Sequence, residues 1–261
     1  MNITVDGLMF GYDSRPVLED IHFEVPPATV LAVLGQNGAG KSTLLQCMAR
    51  ILEPKSGCVA LGQTDLSILS RRELGRLFGY VPQAAGEQSL TVFDTVLLGR
   101  RPFIRWAPND EDLNIVREVL DFMGLSRLAH RPASELSGGE LQKVLIARAL
   151  AQKPRVLLMD EPASSLDLKN QLELVRLMSE SARKIGFTAV ISVHDVNLAL
   201  RFADWFLLLK DRRVHALVPR EALDATLLEE LFDVRMVMTE VEGWTFALPI
   251  PDSDNRDVGL C

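Results

Sequence analysis

The sequence has little of several features that mark common classes of protein. It contains 3 cysteines and 4 histidines in 261 residues, with no close cysteine pair, so neither a disulfide framework nor a structural zinc site is indicated. A net charge of −7 argues against broad nucleic-acid binding, which depends on a basic surface. Its apolar runs fall far short of the roughly 20 residues that cross a bilayer, and no secretory signal opens the chain. We therefore expect a cytoplasmic protein without a membrane span.

What the sequence does contain is the composition of an ordinary globular protein, with 48% hydrophobic and 24% charged residues. Apolar runs alternate with helical patterns along the chain, which predicts an α/β fold wound around a mostly parallel sheet. We expect one main domain over residues 1–248, with β hairpins over residues 2–34 and an inserted helical lobe over about residues 91–151. Residues 249–261 are polar and are predicted to form a loose tail.

The element pattern is clearest where an apolar run ends at a polar or glycine residue. The predicted core strands cover residues 30–34, 78–81, 156–159, 188–193 and 205–209. The predicted helices outside the lobe cover residues 41–52, 69–76, 168–185 and 195–203. Between residues 214 and 248, the sequence predicts only a helix over 221–232 and a terminal hairpin.

A phosphate-binding loop is predicted directly after the first core strand. Residues 35–42 match the pattern G-x-x-x-x-G-K-[ST] between a strand and a helix start. Its glycines let backbone N–H groups point at phosphate oxygens, Lys41 adds positive charge, and the Ser42 hydroxyl is placed to bind Mg²⁺. A glycine-rich structural turn is the alternative. The pattern predicts ATP or GTP binding by Gly35, Gln36, Asn37, Gly38, Ala39, Gly40, Lys41, Ser42 and Thr43.

Two adjacent acids follow the strand over residues 156–159. Asp160 lies at the carboxyl end of this strand, where it can hold Mg²⁺, and Glu161 can act as a general base toward an attacking water. Two acids at a strand end can instead simply begin a loop. The phosphate-binding loop upstream favours the catalytic interpretation.

A second helix start carries an unusual pair of glycines. In the segment Leu136-Ser137-Gly138-Gly139-Glu140, Ser137 and Glu140 have the spacing of a capping box. An ordinary capped helix explains these two residues but gives no reason for Gly138 and Gly139, because glycine weakens a first turn. The exposed helix N-terminus is therefore predicted to be a second anion site.

Residues 136–140, taken with the two preceding motifs, resemble the LSGG(Q/E) signature of ABC ATPases, and the resemblance extends over about residues 1–245. It implies a P-loop NTPase (RecA-like) core with an N-terminal antiparallel β subdomain and an inserted helical subdomain. It also implies ATP hydrolysis with Mg²⁺ in a head-to-tail dimer. In that dimer Ser137, Gly138, Gly139 and Glu140 of one copy cover the ATP bound by the other copy.

The same resemblance assigns roles to four further residues. Tyr12 matches the aromatic that stacks on adenine, and Gln83 matches the glutamine that reaches Mg²⁺ and the attacking water. Asp167, in Ser165-Leu166-Asp167, matches the loop at the dimer interface, and His194 matches the histidine that contacts the γ phosphate. Taken alone, each has a plainer interpretation: a surface aromatic, a solvated loop residue, a helix N-cap and a structural histidine.

Residues 69–74 and 91–102 are similar to those of importers of iron siderophores, haem, cobalamin and related metal chelates. This similarity implies polytopic permease subunits as partners, an external substrate-binding protein and a location on the cytoplasmic face of the membrane. The cargo stays open. An exporter subunit, a soluble ABC ATPase not linked to transport and a non-hydrolysing regulator are the alternatives.

Overall fold

The computed structural model describes residues 1–13, 15–83, 89–164 and 166–251. The strands are β1 (Ile3–Tyr12), β2 (Arg15–Val25), β3 (Val30–Leu34), β4 (Ser56–Leu61), β5 (Thr64–Asp65), β6 (Phe78–Val81), β7 (Val156–Asp160), β8 (Thr188–Ser192), β9 (Trp205–Lys210), β10 (Arg213–Pro219), β11 (Met236–Val241) and β12 (Trp244–Pro249). The helices are α1 (Lys41–Met48), α2 (Arg71–Leu77), α3 (Val92–Leu97), α4 (Asp110–Phe122), α5 (Gly138–Ala151), α6 (Leu168–Ile185), α7 (Val196–Ala199) and α8 (Ala225–Phe232). Within these ranges no helix has both the length and the apolar character needed to cross a membrane.

A six-stranded sheet forms the centre of the fold, with the order β10-β9-β3-β8-β7-β6. The pairs from β9 to β6 are parallel, and only β10 at the edge is antiparallel. Every residue of β3, β7 and β8 is buried, which explains why these segments are continuously apolar or small. The predicted mostly parallel α/β sheet is thus confirmed. Its three central strands all end at the same edge, where ligands bind in such folds.

The N-terminal strands form a separate sheet of four strands, with the order β2-β1-β4-β5. All of its pairs are antiparallel, as predicted for the hairpin formed by β1 and β2. The prediction was wrong in extending the hairpins to residue 34, because β3 pairs in parallel with β8 and β9. A strand buried on both faces belongs in the centre of a sheet, so its apolar run separates it from the alternating pattern of β2.

The proposed helical lobe, residues 91–151, contains α3, α4 and α5. Their apolar faces share one core that includes Val96, Val116 and Leu145. The buried guanidinium of Arg100 reinforces this core, because it donates hydrogen bonds to Asp112 Oδ1 and to the Ala151 carbonyl, each 2.9 Å long. These bonds tie the end of α3 to both longer helices, so the lobe has a polar link within its apolar packing.

The region after β9 departs most from the sequence prediction. The antiparallel strand β10 was not predicted, because its half-buried edge position gives no continuous apolar run. The helix predicted over residues 221–232 is interrupted: a 3₁₀ turn covers Arg220–Ala222, and the side chain of Asp224 then caps α8 by accepting from Leu227 N at 2.9 Å. The terminal hairpin is confirmed as β11 and β12. Most of the predicted tail, residues 252–261, lies outside the described residues.

Candidate nucleotide site

The phosphate-binding loop lies between β3 and α1, and two of its glycines have a steric reason. Gly40 is the N-cap of α1 with φ of 101°, a conformation that side chains other than glycine rarely adopt. A Cβ on Gly35 would lie 2.4 Å from the Leu209 carbonyl oxygen, so the loop passes too close to β9 for any larger residue. Because Gly40 offers no side-chain oxygen, the first N–H groups of α1 have no side-chain cap and can serve an anion.

Lys41 places its charge inside the loop. Its Nζ donates to the carbonyl oxygens of Gly35 and Gln36, at 2.8 and 3.3 Å. Burial lowers the pKa of Lys41 from its ordinary value, while the nearby carboxylates of Glu161 and Asp160 oppose this effect. The loop therefore holds a buried ammonium group that suits a ligand with several negative charges, and the two nearby acids suit a cation that such a ligand brings with it.

Ser42 and Asp160 meet below the loop. Ser42 Oγ donates to Asp160 Oδ1 at 2.9 Å, and Ser192 Oγ donates to the same oxygen at 2.7 Å. Asp160 and Ser192 are both buried, as is Thr43 in the first turn of α1. The described residues contain no cluster of three or more His, Cys, Asp or Glu side chains that would hold a metal alone. A hydroxyl beside one carboxylate nevertheless fits Mg²⁺, which proteins commonly bind through one or two carboxylates and the phosphates of a substrate.

Glu161 occupies a strained turn that brings three predicted residues together. Its φ of 44° is unusual for a residue with a long side chain. The turn is stabilised by Ser192, whose Oγ accepts from Glu161 N at 2.9 Å. The Glu161 carboxylate accepts from Gln83 Nε2 at 3.0 Å and lies 3.9 Å from His194 Nδ1. Glu161, Gln83 and His194, which come from the ends of three different strands, thus converge on one point.

Ser192 is the main site residue that sequence reasoning missed. Its hydroxyl joins Asp160 to the backbone of Glu161, so both acids depend on one buried side chain. The available signal was a polar residue at the end of the apolar strand β8, two positions before His194. The sequence shows that position, but only the parallel register, in which Asp160 pairs with Ser192, reveals the contact.

The outer side of the phosphate-binding loop faces the C-terminal region. Gln36, Asn37, Gly38 and Ala39 line a cavity of about 230 Å³ together with the turn from β9 to β10 and the residue after α8. Gln36 Nε2 donates to Asp233 Oδ2 at 3.1 Å and to the Leu231 carbonyl at 3.3 Å. No local pattern predicts this contact, which joins residues almost two hundred positions apart.

Tyr12 lies at the end of β1, away from the central sheet. Its side chain is exposed and meets Phe10 edge-on, with the ring centroids 5.0 Å apart. The T-shaped contact holds the Tyr12 ring against β1. An exposed aromatic fixed in this way has a face free to take part in stacking.

The second predicted anion site, around Ser137, is a fully formed capping box at the start of α5. Ser137 Oγ accepts from Glu140 N, while Glu140 Oε2 accepts from Ser137 N at 2.9 Å and from Ser137 Oγ at 2.7 Å. These bonds to Ser137 lower the pKa of Glu140. A Cβ on Gly138 would meet none of the described atoms within 4 Å. Packing within this chain therefore gives no reason for glycine at that position.

Asp167 caps α6 next to the start of α5. Its carboxylate accepts from the backbone N and the side-chain Nδ2 of Asn170, at 2.8 and 2.9 Å. The plainer interpretation of Asp167 as an N-cap is therefore confirmed, while Ser165 lies outside the described residues. A Cβ on Gly139 would lie 3.5 Å from Asn170, and an ion pair of 2.8 Å joins Lys143 to Glu173. The starts of α5 and α6 thus lie side by side.

Comparison with known proteins shows the same family along most of the chain. The model of a family described as "ABC transporter" matches residues 18–164. An uncharacterized ABC transporter ATP-binding protein of Methanocaldococcus jannaschii is 44% identical over 96% of this chain and 98% of its own length. The achromobactin transport ATP-binding protein of Dickeya dadantii is 37% identical over 89% of this chain and 88% of its own. The ferric enterobactin transport ATP-binding protein of Escherichia coli is 33% identical over 94% and 93%.

Solved structures agree with this similarity. An inward-facing structure assigned to a metal-chelate type ABC transporter matches with a TM-score of 0.83 and 31% identity, over 95% of this chain and 97% of the other. A dimeric ATP-binding cassette in a post-hydrolysis state, bound to ADP and Pi, matches with a TM-score of 0.74 and 27% identity, over 85% of this chain and 100% of the other.

Proposed function

The chain belongs to the ABC transporter family, and from this premise we propose that it is the subunit that binds and hydrolyses ATP to drive an importer of metal chelates. Its fold is that of a P-loop NTPase with an antiparallel β subdomain and inserted helices. The observation that carries the proposal is the convergence of Glu161, Gln83 and His194 beside the buried pair formed by Ser42 and Asp160.

Binding of ATP begins at the phosphate-binding loop in this proposal. The first N–H groups of α1, which have no side-chain cap, would donate to the phosphate oxygens, and Lys41 would add a full positive charge beside the β and γ phosphates. The exposed ring of Tyr12 stacks on the adenine, as its contact with Phe10 leaves one face free. Together these contacts fix both ends of the nucleotide.

Ser42 and Asp160 are the residues that would hold Mg²⁺, with Gln83 as a further ligand. When bound, the ion would neutralise negative charge on the β and γ phosphates. Ser192 keeps the Asp160 carboxylate in place through its 2.7 Å hydrogen bond. The protein thus prepares the oxygen ligands before any substrate arrives, which reduces the reorganisation needed during the reaction.

Glu161 acts as the general base in the proposed hydrolysis. Its carboxylate accepts a proton from the water whose oxygen bonds to the γ phosphorus, while the bond from that phosphorus to the bridging oxygen breaks and ADP leaves. Gln83 and His194 lie beside Glu161 Oε2, where they can position the water and the phosphate. Ser192 holds the backbone of Glu161 through its hydroxyl, so the carboxylate keeps its aim. Catalysis then depends on positioning and charge stabilisation, and no covalent intermediate is needed.

Completion of the site requires a second copy of the chain. The capped end of α5, with Ser137, Gly138, Gly139 and Glu140, has room for an anion that this chain does not itself provide. We assign it to the ATP held by the other copy in a head-to-tail dimer, with Asp167 at the same interface. The dimeric cassette bound to ADP and Pi supports this assembly.

Coupling to transport places the dimer against permease subunits at the cytoplasmic face of a membrane. The similarity to transport proteins for ferric enterobactin and achromobactin supports a metal chelate as the cargo class, delivered by an external substrate-binding protein. The surface after Gln83, including α3, is the proposed contact with the permease. Capture of a polytopic membrane protein by the affinity-tagged chain, from membranes of the source cells, supports this assignment, whereas consistent failure to capture one contradicts it.

The Glu161→Gln variant tests the hydrolytic role. It keeps the size of the side chain and removes its basicity, so we expect ATP turnover to fall by about 100-fold or more while ATP binding is retained. Turnover is measured as phosphate release by the dimer, and binding by equilibrium titration with Mg-ATP.

The matched control is Glu118→Gln, which makes the same change on the exposed face of α4. We expect wild-type turnover from this control. Turnover of Glu161→Gln equal to that of the control would remove Glu161 from catalysis, and a wild-type chain that binds no ATP would end the proposal itself.

A further inference from the structure

We propose that Asp233 is a positioning residue for the phosphate-binding loop, acting through the side chain of Gln36. The end of α8 would then help to set the affinity for nucleotide, although it lies outside every nucleotide motif. The inference rests on the proposed function, and it adds a residue whose influence on that function is indirect.

The link from Asp233 to the loop consists of consecutive contacts. Asp233 Oδ2 accepts from Gln36 Nε2 at 3.1 Å, and the same Nε2 donates to the Leu231 carbonyl at 3.3 Å. The main-chain oxygen of Gln36 accepts in turn from Lys41 Nζ at 3.3 Å and from Ala39 N at 3.2 Å. The end of α8 therefore holds Gln36, and the carbonyl of Gln36 helps to position the Lys41 ammonium group.

Asp233 is itself held in a defined position. It follows α8 in a left-handed conformation, with φ of 56°, and its N–H donates to the Glu229 carbonyl at 2.8 Å. Lys210, at the end of β9, donates to Asp233 Oδ1 at 2.6 Å and also contacts the Glu230 carbonyl. The bond from Lys210 lowers the pKa of Asp233.

The support for Asp233 continues into the core. Leu228 and Leu231 of α8 are fully buried, and they belong to the same apolar cluster as β3 and β7. A well-packed helix thus fixes one side of a loop that contains three glycines and is otherwise free to sample other conformations. Restricting such a loop to its binding conformation increases affinity, because less conformational entropy is lost when the ligand binds.

The position of this link predicts which kinetic constant it affects. Gln36 lies at the start of the phosphate-binding loop, whereas Glu161 and His194 follow β7 and β8. A looser Gln36 should weaken ATP binding and leave the chemical step unchanged. A residue that only stabilised the fold would change neither constant at a temperature where the protein remains folded.

The test compares two aspartates that share a backbone conformation and a cavity. Asp233 and Asp211 have φ of 56° and 47°, and both line the cavity beside the phosphate-binding loop. Asp233→Gly and Asp211→Gly remove the same carboxylate without backbone strain, because glycine accepts a left-handed conformation. We expect the KM for Mg-ATP to rise about five-fold in Asp233→Gly, with kcat within about two-fold, while Asp211→Gly keeps the wild-type KM.

A conservative variant sharpens the result. Asp233→Asn keeps an oxygen that can accept from Gln36 Nε2 and tolerates the left-handed conformation, so we expect its KM to lie between those of wild type and Asp233→Gly. If Asp233→Gly does not fold, as judged by circular dichroism, a KM above wild type in Asp233→Asn supports the proposal, and a wild-type KM contradicts it.

Three further results overturn the inference: an unchanged KM in Asp233→Gly, an equal rise in Asp211→Gly, or a fall in kcat at constant KM. These outcomes differ from failure of the proposed function, in which the wild-type chain itself would show no ATP turnover.

Discussion

Two helix N-termini, those of α1 and α5, are both proposed to bind anions but are built in opposite ways. The cap of α1 is Gly40, which has no side chain, and the loop before it contains a buried ammonium group from Lys41. The cap of α5 is Ser137, which forms a reciprocal box with Glu140. One helix end thus leaves its N–H groups for a ligand, whereas the other satisfies some of them with its own side chains.

The difference indicates a division of labour between the two sites. At α1, positive charge, unfilled donors, the buried Asp160 and the partly buried Glu161 lie together in one chain, as expected of a site that binds nucleotide by itself. At α5, the hydrogen bonds to Ser137 lower the pKa of Glu140 at the helix start, and Gly138 leaves the surface there open. Such a site is suited to add a smaller share of the binding free energy for a ligand that another site already holds.

The largest effect should come from Lys41→Met. The change keeps the length of the side chain and removes the charge that faces the phosphates, so we expect the Kd for Mg-ATP to rise by about 100-fold. Equilibrium titration of the folded variant measures this. Lys184→Met, an exposed position on α6, is the control and should bind as wild type. If Lys41→Met bound Mg-ATP with near-wild-type affinity, the positive charge at the start of α1 would not be what binds the nucleotide.

Gly138→Asp is expected to lower kcat rather than ATP affinity, and by a smaller factor. The chain has room for the side chain, and an acid in the first turn of a helix is stabilising, so the melting temperature should not fall. The carboxylate would repel the phosphates of the ATP on the other copy, and we expect kcat to decrease by about 30-fold while ATP affinity of the single chain stays within about two-fold.

The control for this variant is Gly243→Asp in the turn of the terminal hairpin, where a Cβ also meets no described atom within 4 Å and the left-handed φ of 75° is one that Asp adopts more readily than most residues. It should leave turnover unchanged. A loss of single-chain ATP affinity in Gly138→Asp would contradict the division between the two helix ends, because it would place the start of α5 at the chain's own nucleotide.

The smallest change in kcat among these variants should come from Ser192→Ala. This variant tests whether the site at α1 depends on the fixed positions of Asp160 and Glu161. Removal of the hydroxyl frees the Asp160 carboxylate and the Glu161 backbone, and we expect kcat to fall about five-fold with little change in ATP affinity. Ser181→Ala is the matched control, since Ser181 is also fully buried but its hydroxyl bonds, among the described residues, only to the Leu177 carbonyl on α6. Both variants should lose stability, and an equal loss of kcat would show that Ser192 acts only through the fold.

Much of this fold follows from local sequence signals. The bounds of β6 and α6 are as predicted, because an apolar strand stops at Pro82 and because Gly186 takes the left-handed conformation that ends a helix. The helices α1 and α7 are shorter than predicted, ending at Met48 and Ala199. Residue type and spacing identify caps and strand ends well, but they do not determine how far a short helix continues.

The sequence was less informative where long-range contacts decide the structure. The edge strand β10 pairs with β9 although its own pattern is weak, and α8 starts late because Asp224 caps it. The contacts of Ser192 with Asp160 and of Gln36 with Asp233 join residues far apart in the chain. Only the parallel register and the packing of α8 bring these pairs within hydrogen-bond distance, so no local motif predicts them.

The contact between the first turns of α5 and α6 has a mechanical consequence. In these turns Gly139 lies against Asn170, and one turn further along Lys143 and Glu173 form an ion pair of 2.8 Å. A force applied to residues 91–151 by a bound permease would therefore displace Asp167 in the same direction, without passing through the nucleotide. A partly exposed ion pair contributes little to the free energy of folding. The contact between α5 and α6 should therefore transmit small displacements and break under large ones.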